Sequence, residues 1–358
     1  MPEKMMAQVV KAPYQMEYCE VPVPQIGDDD VLVKVKVCGI CGSDWSIYTG
    51  NYAADKLPMI TGHEFWGVAA KVGKNVRGVK EGDRVAVDIC LTCGTCYFCR
   101  HGDGLLCETF TQLGIHTDGG FAEYVKAPGK NCYVIPDNID DWAAAFIEPL
   151  TAVIHAAQRM DAGIGASVVV IGSGLGVLHG ALAKARAMAP VIVIGTNPDR
   201  LEIAKKMGAD YIIDSNKTPD VVAEVLRLTD GIGVDFVIES VGSTTTYEQA
   251  FKMLRRGGKL EAFGIVPQGK TAALEPYEFV LGEKKVSGSC AGIGNNWGEA
   301  IKLLQYGIID PSSMYSLAVP LSELKDALYE LHGGNGVEKN RKLMKVFVCP
   351  ELKERIIF

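Results

Sequence analysis

From about residue 166 the chain alternates between two hydrophobic periods. "ASVVVIGSGLG" is a continuous β-branched run ending in glycines, and "ALAKARAMA" after it has the spacing of a helix. "PVIVIG" repeats the strand and "DRLEIAKKMGAD" the helix; "VDFVIES" and "GGKLEAFGIV" supply further buried strands. Strands alternating with helices predict a parallel, doubly wound α/β sheet, since parallel neighbours need a crossover to return the chain. Earlier in the chain the pattern differs. "DVLVKVKVCGI", "GVAAKVG", "GDRVAV" and "GGFAEYV" are short strand-like runs broken by turns. After a last strand, "KKVSGSCA", come two helical stretches, "WGEAIKLLQYG" and "LSELKDALYELH". The pattern therefore changes near residues 150 and 291. There is no repeat and no low-complexity tract.

The chain has 358 residues, 48% hydrophobic and 22% charged, which is ample for a core and points to two domains rather than one. A net charge of -7 and a pI near 5.5 disfavour nucleic acid or an anionic membrane as partner. The start, "MPEKMMAQVVKAP", has no apolar signal region. The most apolar tract, residues 166–183, contains glycines and His179, and reads as strand, turn and helix rather than a membrane span. The expectation is a cytoplasmic protein. Its 11 cysteines should then not form disulfides, and an odd number would leave one over in any case.

Five of those cysteines fall in residues 89–107, "ICLTCGTCYFCRHGDGLLC". Cys93, Cys96, Cys99 and Cys107 stand as C-x2-C-x2-C-x7-C. A two-residue gap lets neighbouring thiolates turn onto one ion, and four complete a tetrahedron around zinc. Gly94, Gly102 and Gly104 supply turns. A closed four-sulfur shell has no open position, so the expected zinc is structural. Loose buried thiols, an iron–sulfur cluster and a nucleic-acid zinc module are the alternatives; the acidic charge opposes the last. Cys90 stands outside the pattern as a core or spare thiol.

Upstream, "VCGICGSDWSIY" and "TGHEFWG" bring Cys41, His63 and Glu64, one sulfur, one nitrogen and one oxygen donor. Three protein ligands with an exchangeable fourth position describe a catalytic zinc. "GHEFWGVAAKVGKNVRGVKEGDRVAV", the cysteine ladder, "DGGFAEYV" and "IEPLTAVIHA" follow in order. Together they resemble the zinc-dependent medium-chain alcohol and polyol dehydrogenases, from about residue 31 to 348. The resemblance implies a GroES-like, β-rich catalytic domain over 1–150, a Rossmann dinucleotide-binding domain over 151–291, and a return to the catalytic domain over 292–358. It implies that Cys41, His63 and Glu64 hold the catalytic zinc. Glu148, in "FIEPL", stands where alcohol-type members carry another cysteine; it resembles the sorbitol-like branch and would bind zinc directly or through water. Ser43 matches the proton-relay hydroxyl; without the resemblance it reads as a turn or cap residue. Ser46 occupies the place of a relay histidine.

The glycine turn departs from G-x-G-x-x-G: Gly172, Ser173, Gly174, Leu175 and Gly176 bring the last glycine one residue early. Pyrophosphate is expected at the following helix N-terminus. The second strand ends in Gly195-Thr196-Asn197, with no acid to grip a ribose 2′-hydroxyl. Arg200 would pair with a 2′-phosphate, stack on adenine, or simply cap its helix, while the nearby Asp199 would partly restore NAD preference; the balance leans slightly to NADP over NAD. Gly264, Ile265 and Cys290 are further cofactor-binding candidates.

The expected activity is hydride transfer between a secondary alcohol, on a polyol, sugar alcohol or sugar acid, and NAD(P). Ser46 and Glu148 favour a substrate with several hydroxyls, and Trp45 and Tyr48 either line the cleft or pack. The cleft itself is expected between the two domains. Threonine-type or simple secondary alcohols are the alternative, and a non-catalytic NAD(P)-binding protein is the alternative of another class. The family implies a homodimer or homotetramer.

Overall fold

The computed structural model describes residues 2–358. The chain divides into two compact units. One runs to Thr151 and resumes at Gly292–Gly307 and Met314–Phe358; the other is Ala152–Ala291 with Ile308–Ser313.

In the first unit the strand Asp30–Gly39 lies in an eight-stranded sheet. It pairs antiparallel with Glu64–Val72, Tyr124–Pro128 and Lys345–Cys349. Its valines alternate with partly exposed Lys34 and Lys36, so one face packs inward. Gly39 stands opposite Glu64 on one neighbour and opposite Phe347 on the other. Residues from three remote parts of the sequence therefore meet at Gly39. The chain end is held on the same sheet. Ile356–Ile357 pairs with Tyr315–Pro320, and the Phe358 ring packs against Trp142, Tyr315 and Phe347.

The second unit carries a six-stranded, wholly parallel sheet. Its order is Tyr211–Asp214, Val191–Gly195, Val168–Ile171, Val234–Glu239, Leu254–Ala262, Lys285–Gly288. Every residue of Val168–Ile171 and Val191–Gly195 is buried, which is why these runs show no polar alternation. Among the described residues no helix is long and apolar enough to cross a membrane.

Candidate active site

Immediately after Gly39 the chain turns at Ile40 and Cys41 into the short helix Gly42–Tyr48, for which Cys41 is the N-cap. Asp44 fixes this turn. One carboxylate oxygen accepts from the Cys41 amide at 2.9 Å and the other from the Gly62 amide at 3.1 Å. The two segments carrying Cys41 and His63 are thus tied through one fully buried side chain. Donor atoms of Cys41, His63 and Glu64 lie within 4.8 Å of one another. Zinc bonds of about 2.0–2.3 Å give donor separations of that order, so the set fits zinc. The Ser43 hydroxyl lies 3.3 Å from His63 Nε2.

The charges of the site are mutually dependent. Burial opposes protonation of His63, but Asp44, with Oδ1 3.6 Å from Nδ1, and the Cys41 thiolate outweigh it and hold the ring well above its ordinary value. Burial works to raise the Cys41 thiol, but the His63 charge and the Ser43 hydroxyl bring it down to about 7. Glu148, in the first turn of the helix Ile147–Met160, is buried, and that burial pushes its carboxyl up to about 7 even though His63 pulls the other way. It stands apart from the close donor group of Cys41, His63 and Glu64.

Sequence reasoning missed two residues here. Asp44 had a readable signal, because an acid at the third position of a helix commonly bonds back to the cap amide. Lys345 had none. Its ammonium is buried, pairs with the Glu64 carboxylate and stands 5.5 Å from the centre of the Phe146 ring. Burial brings it down to about 8. The choice between lining and packing that the sequence leaves open for two aromatics is narrowed here. Tyr48 is fully buried, its hydroxyl on that of Tyr329 at 3.0 Å and on the Tyr14 carbonyl at 3.1 Å, so it is packing rather than pocket lining. Trp45 stacks on His332 at 5.0 Å. Ser46 donates to the Gly42 carbonyl of its own helix.

The cysteine ladder closes on itself. Donor atoms of Cys93, Cys96, Cys99 and Cys107 lie within 4.8 Å of one another, with the sulfurs of Cys93 and Cys99 4.0 Å apart. A zinc–thiolate tetrahedron has edges of about 3.8 Å, so this set also fits. The amide and hydroxyl of Thr95 and the amide of Cys96 hold the Cys93 thiol down to about 5, ready to bind as thiolate. Gly94 and Gly102 take left-handed conformations. Cys90 is buried beside the lobe, with its sulfur on the Gly292 carbonyl at 3.6 Å.

In the second unit Gly172, Ser173, Gly174, Gly195, Thr196 and Arg200 line a cavity of about 410 Å³. A Cβ on Gly174 would meet no protein atom within 4 Å, which leaves room for a ligand against the backbone. Leu175 and Gly176 open the helix Gly176–Ala185. A Cβ on Gly176 would press Val170 at 3.0 Å, and one on Gly180 would press Val193 at 3.2 Å. Close helix-to-strand packing is therefore shared by two glycines, so the turn does not need one at the usual last position. Asn197 caps the next helix, accepting from the Arg200 amide at 3.2 Å. Gly264, Ile265 and Cys290 lie just beyond the carboxyl ends of Leu254–Ala262 and Lys285–Gly288, outside this cavity.

Comparison with known proteins bears on both units. Residues 27–137 match the alcohol dehydrogenase GroES-like domain and residues 174–306 match the family described as zinc-binding dehydrogenase. The chain is 35% identical to a sorbitol dehydrogenase of Bacillus subtilis (strain 168) over 358 residues, 98% of each chain. It is 40% identical to an L-threonine 3-dehydrogenase of Pyrococcus horikoshii over 274 residues, 75% of this chain and 78% of that one. A solved zinc-binding dehydrogenase from Sinorhizobium meliloti 1021, bound to NADP, superposes with a TM-score of 0.91 at 32% identity, covering 98% of this chain and all of the other. A GroES-like domain, a parallel dinucleotide-binding sheet and full-length relatives leave one placement: the chain belongs to the zinc-dependent medium-chain alcohol and polyol dehydrogenases, enzymes that work with zinc and NAD(P).

Proposed function

We propose that the enzyme oxidises a secondary alcohol on a polyol, sugar alcohol or sugar acid. The observation that carries this is the close grouping of Cys41, His63 and Glu64 with the Ser43 hydroxyl at their edge. Cys41, His63 and Glu64 would hold the catalytic zinc, with Asp44 fixing the first two. Bound zinc supplies Lewis acidity, which lowers the pKa of a coordinated hydroxyl, and bound NAD(P) accepts the hydride. Ser43 takes the carbinol proton at its oxygen and passes its own hydroxyl proton outward. Glu148 presents a buried carboxyl, of raised pKa, to the metal donors or to a water between them. Lys345 balances the Glu64 charge, so that one carboxylate serves both the ion pair and the metal. Cys93, Cys96, Cys99 and Cys107 would hold a second, structural zinc.

Several finer features belong to this reading. The cavity lining of Gly195, Thr196 and Arg200, without an acid, favours NADP over NAD. A homodimer or homotetramer is favoured by the terminal strand Lys285–Gly288, which presents an unpaired edge with Val286 exposed. A reducing, cytoplasmic setting suits eleven free cysteines, eight of them outside disulfide use by position in sites or core. The threonine-type alternative is favoured by the Pyrococcus horikoshii relative.

The test is a panel of polyols, sugar acids, simple secondary alcohols and threonine, each offered with NAD and NADP while reduced cofactor is followed. Polyol or sugar-acid turnover well above the rest supports the reading. A threonine preference replaces it with the alternative, and turnover of none of the panel overturns it.

A further inference from the structure

Gly195 ends a strand whose other members are all branched and buried, and its backbone does not require glycine, since it lies outside the left-handed region. What requires glycine is space. A Cβ at 195 would lie 2.5 Å from Ser173 Oγ, 2.7 Å from Ser173 Cβ and 3.3 Å from Leu201. The Ser173 Cβ, unlike its rotatable hydroxyl, is fixed by the backbone of the turn, and that backbone is tied to the strand. The Gly172 amide donates to the Ile194 carbonyl at 2.8 Å, which ties the glycine turn to this strand. On the other side the Ser215 amide donates to the Gly195 carbonyl at 2.9 Å, and Asn216 Nδ2 to the Thr196 carbonyl at 2.7 Å. Ser173 is itself buried.

The end of this strand is where a dinucleotide-binding sheet places the carboxylate that grips a ribose 2′-hydroxyl. We infer that Ser173 is a specificity-determining positioning residue: its side chain fills the space such a carboxylate needs, so discrimination between NAD and NADP belongs to residues 173 and 195 jointly. This rests on the reading that the cavity holds the cofactor and favours NADP. It has a consequence that inspection of position 195 alone would not give. An acid introduced at 195 cannot recruit NAD while Ser173 remains.

The experiment uses the full-length zinc-loaded enzyme as wild type, Gly195→Asp, Ser173→Gly and the double variant. Thermal midpoints and Kd values for NAD and NADP are measured by titration. Gly195→Asp alone is expected to lower Tm by about 5 °C, through overpacking, without tightening NAD. The double variant is expected to return to within about 2 °C of Ser173→Gly and to bind NAD at least about tenfold tighter than wild type, as a charged hydrogen bond to the ribose allows. Tighter NAD binding by Gly195→Asp alone, or a double variant no more stable than that single one, overturns the inference. If Gly195→Asp does not fold, Gly195→Ala in the same cycle reads the contact by Tm. A wild type that binds NAD more tightly than NADP would sink the cofactor preference, while the Tm cycle would still decide the role of Ser173.

Discussion

The two proposed metal sites of the first unit are built in opposite ways. The cysteine lobe draws all four donors from fifteen consecutive residues, Cys93 to Cys107, held by local turns and amides. The catalytic group draws Cys41 from a helix cap and His63 and Glu64 from the edge of a strand, and its support comes from Asp44 and Lys345. The lobe has four like ligands, which leave no position for exchange. The catalytic group has three unlike ligands, a hydroxyl and a second carboxyl in reserve. A site that must only bind can be local and closed; a site that must exchange a ligand is braced from a distance.

This contrast can be broken by substitution. The largest effect is expected for His63→Ala, at least about a thousandfold loss of turnover, with one zinc fewer per chain by metal analysis and an unchanged circular dichroism spectrum. Retained turnover would remove His63 from the centre. Next comes Cys96→Ser, which should lower Tm by about 10 °C and also release one zinc, while molecules still folded turn over near the wild-type rate. Normal Tm with depressed turnover would exchange the roles given to the two sites.

The smallest effect sharpens how the lobe is fastened. Asp88 lies just before it, buried, and accepts from the amides of Cys90 and Gly294 at 2.9 Å each. Burial pushes its carboxyl up to about 6. The folded state then binds this proton more tightly than the unfolded chain, so the contribution of Asp88 to stability falls as pH rises from about 4 to 6. The full effect is about 3 kcal/mol. Asp88→Asn removes this slope, so the stability of the variant relative to wild type should climb across that window in denaturant titrations. Parallel curves for the two proteins would show that Asp88 does not titrate there.

The doubly wound sheet was legible in the sequence because burial on both faces writes itself as unbroken apolar runs, as in Val168–Ile171. The ladder was legible because its ligands are neighbours. Cys41, His63 and Glu64 carry no period of their own, and only a resemblance drew them together before the fold did. Lys345 reads as an ordinary strand-end lysine; its meaning comes from a pairing with residues some three hundred positions earlier. Tyr48 shows an open choice instead. Residue type marked an aromatic beside a ligand that could line or pack, and only the packing of Val10, Tyr48 and Tyr329 reveals which way it faces. The crowding of Gly195 by Ser173 is likewise invisible in a one-dimensional string.

The meeting of strands at Gly39 also sets a timetable for synthesis. The sheet that positions Glu64 is incomplete until the segment Lys345–Cys349 has emerged from the ribosome. The parallel sheet between has all its strands well before then and is free to form as the chain emerges. A nascent chain halted before residue 345 would carry an acidic side chain at position 64 with no cation to meet it. The proposed catalytic metal therefore has its finished seat only once residue 345 has joined the sheet.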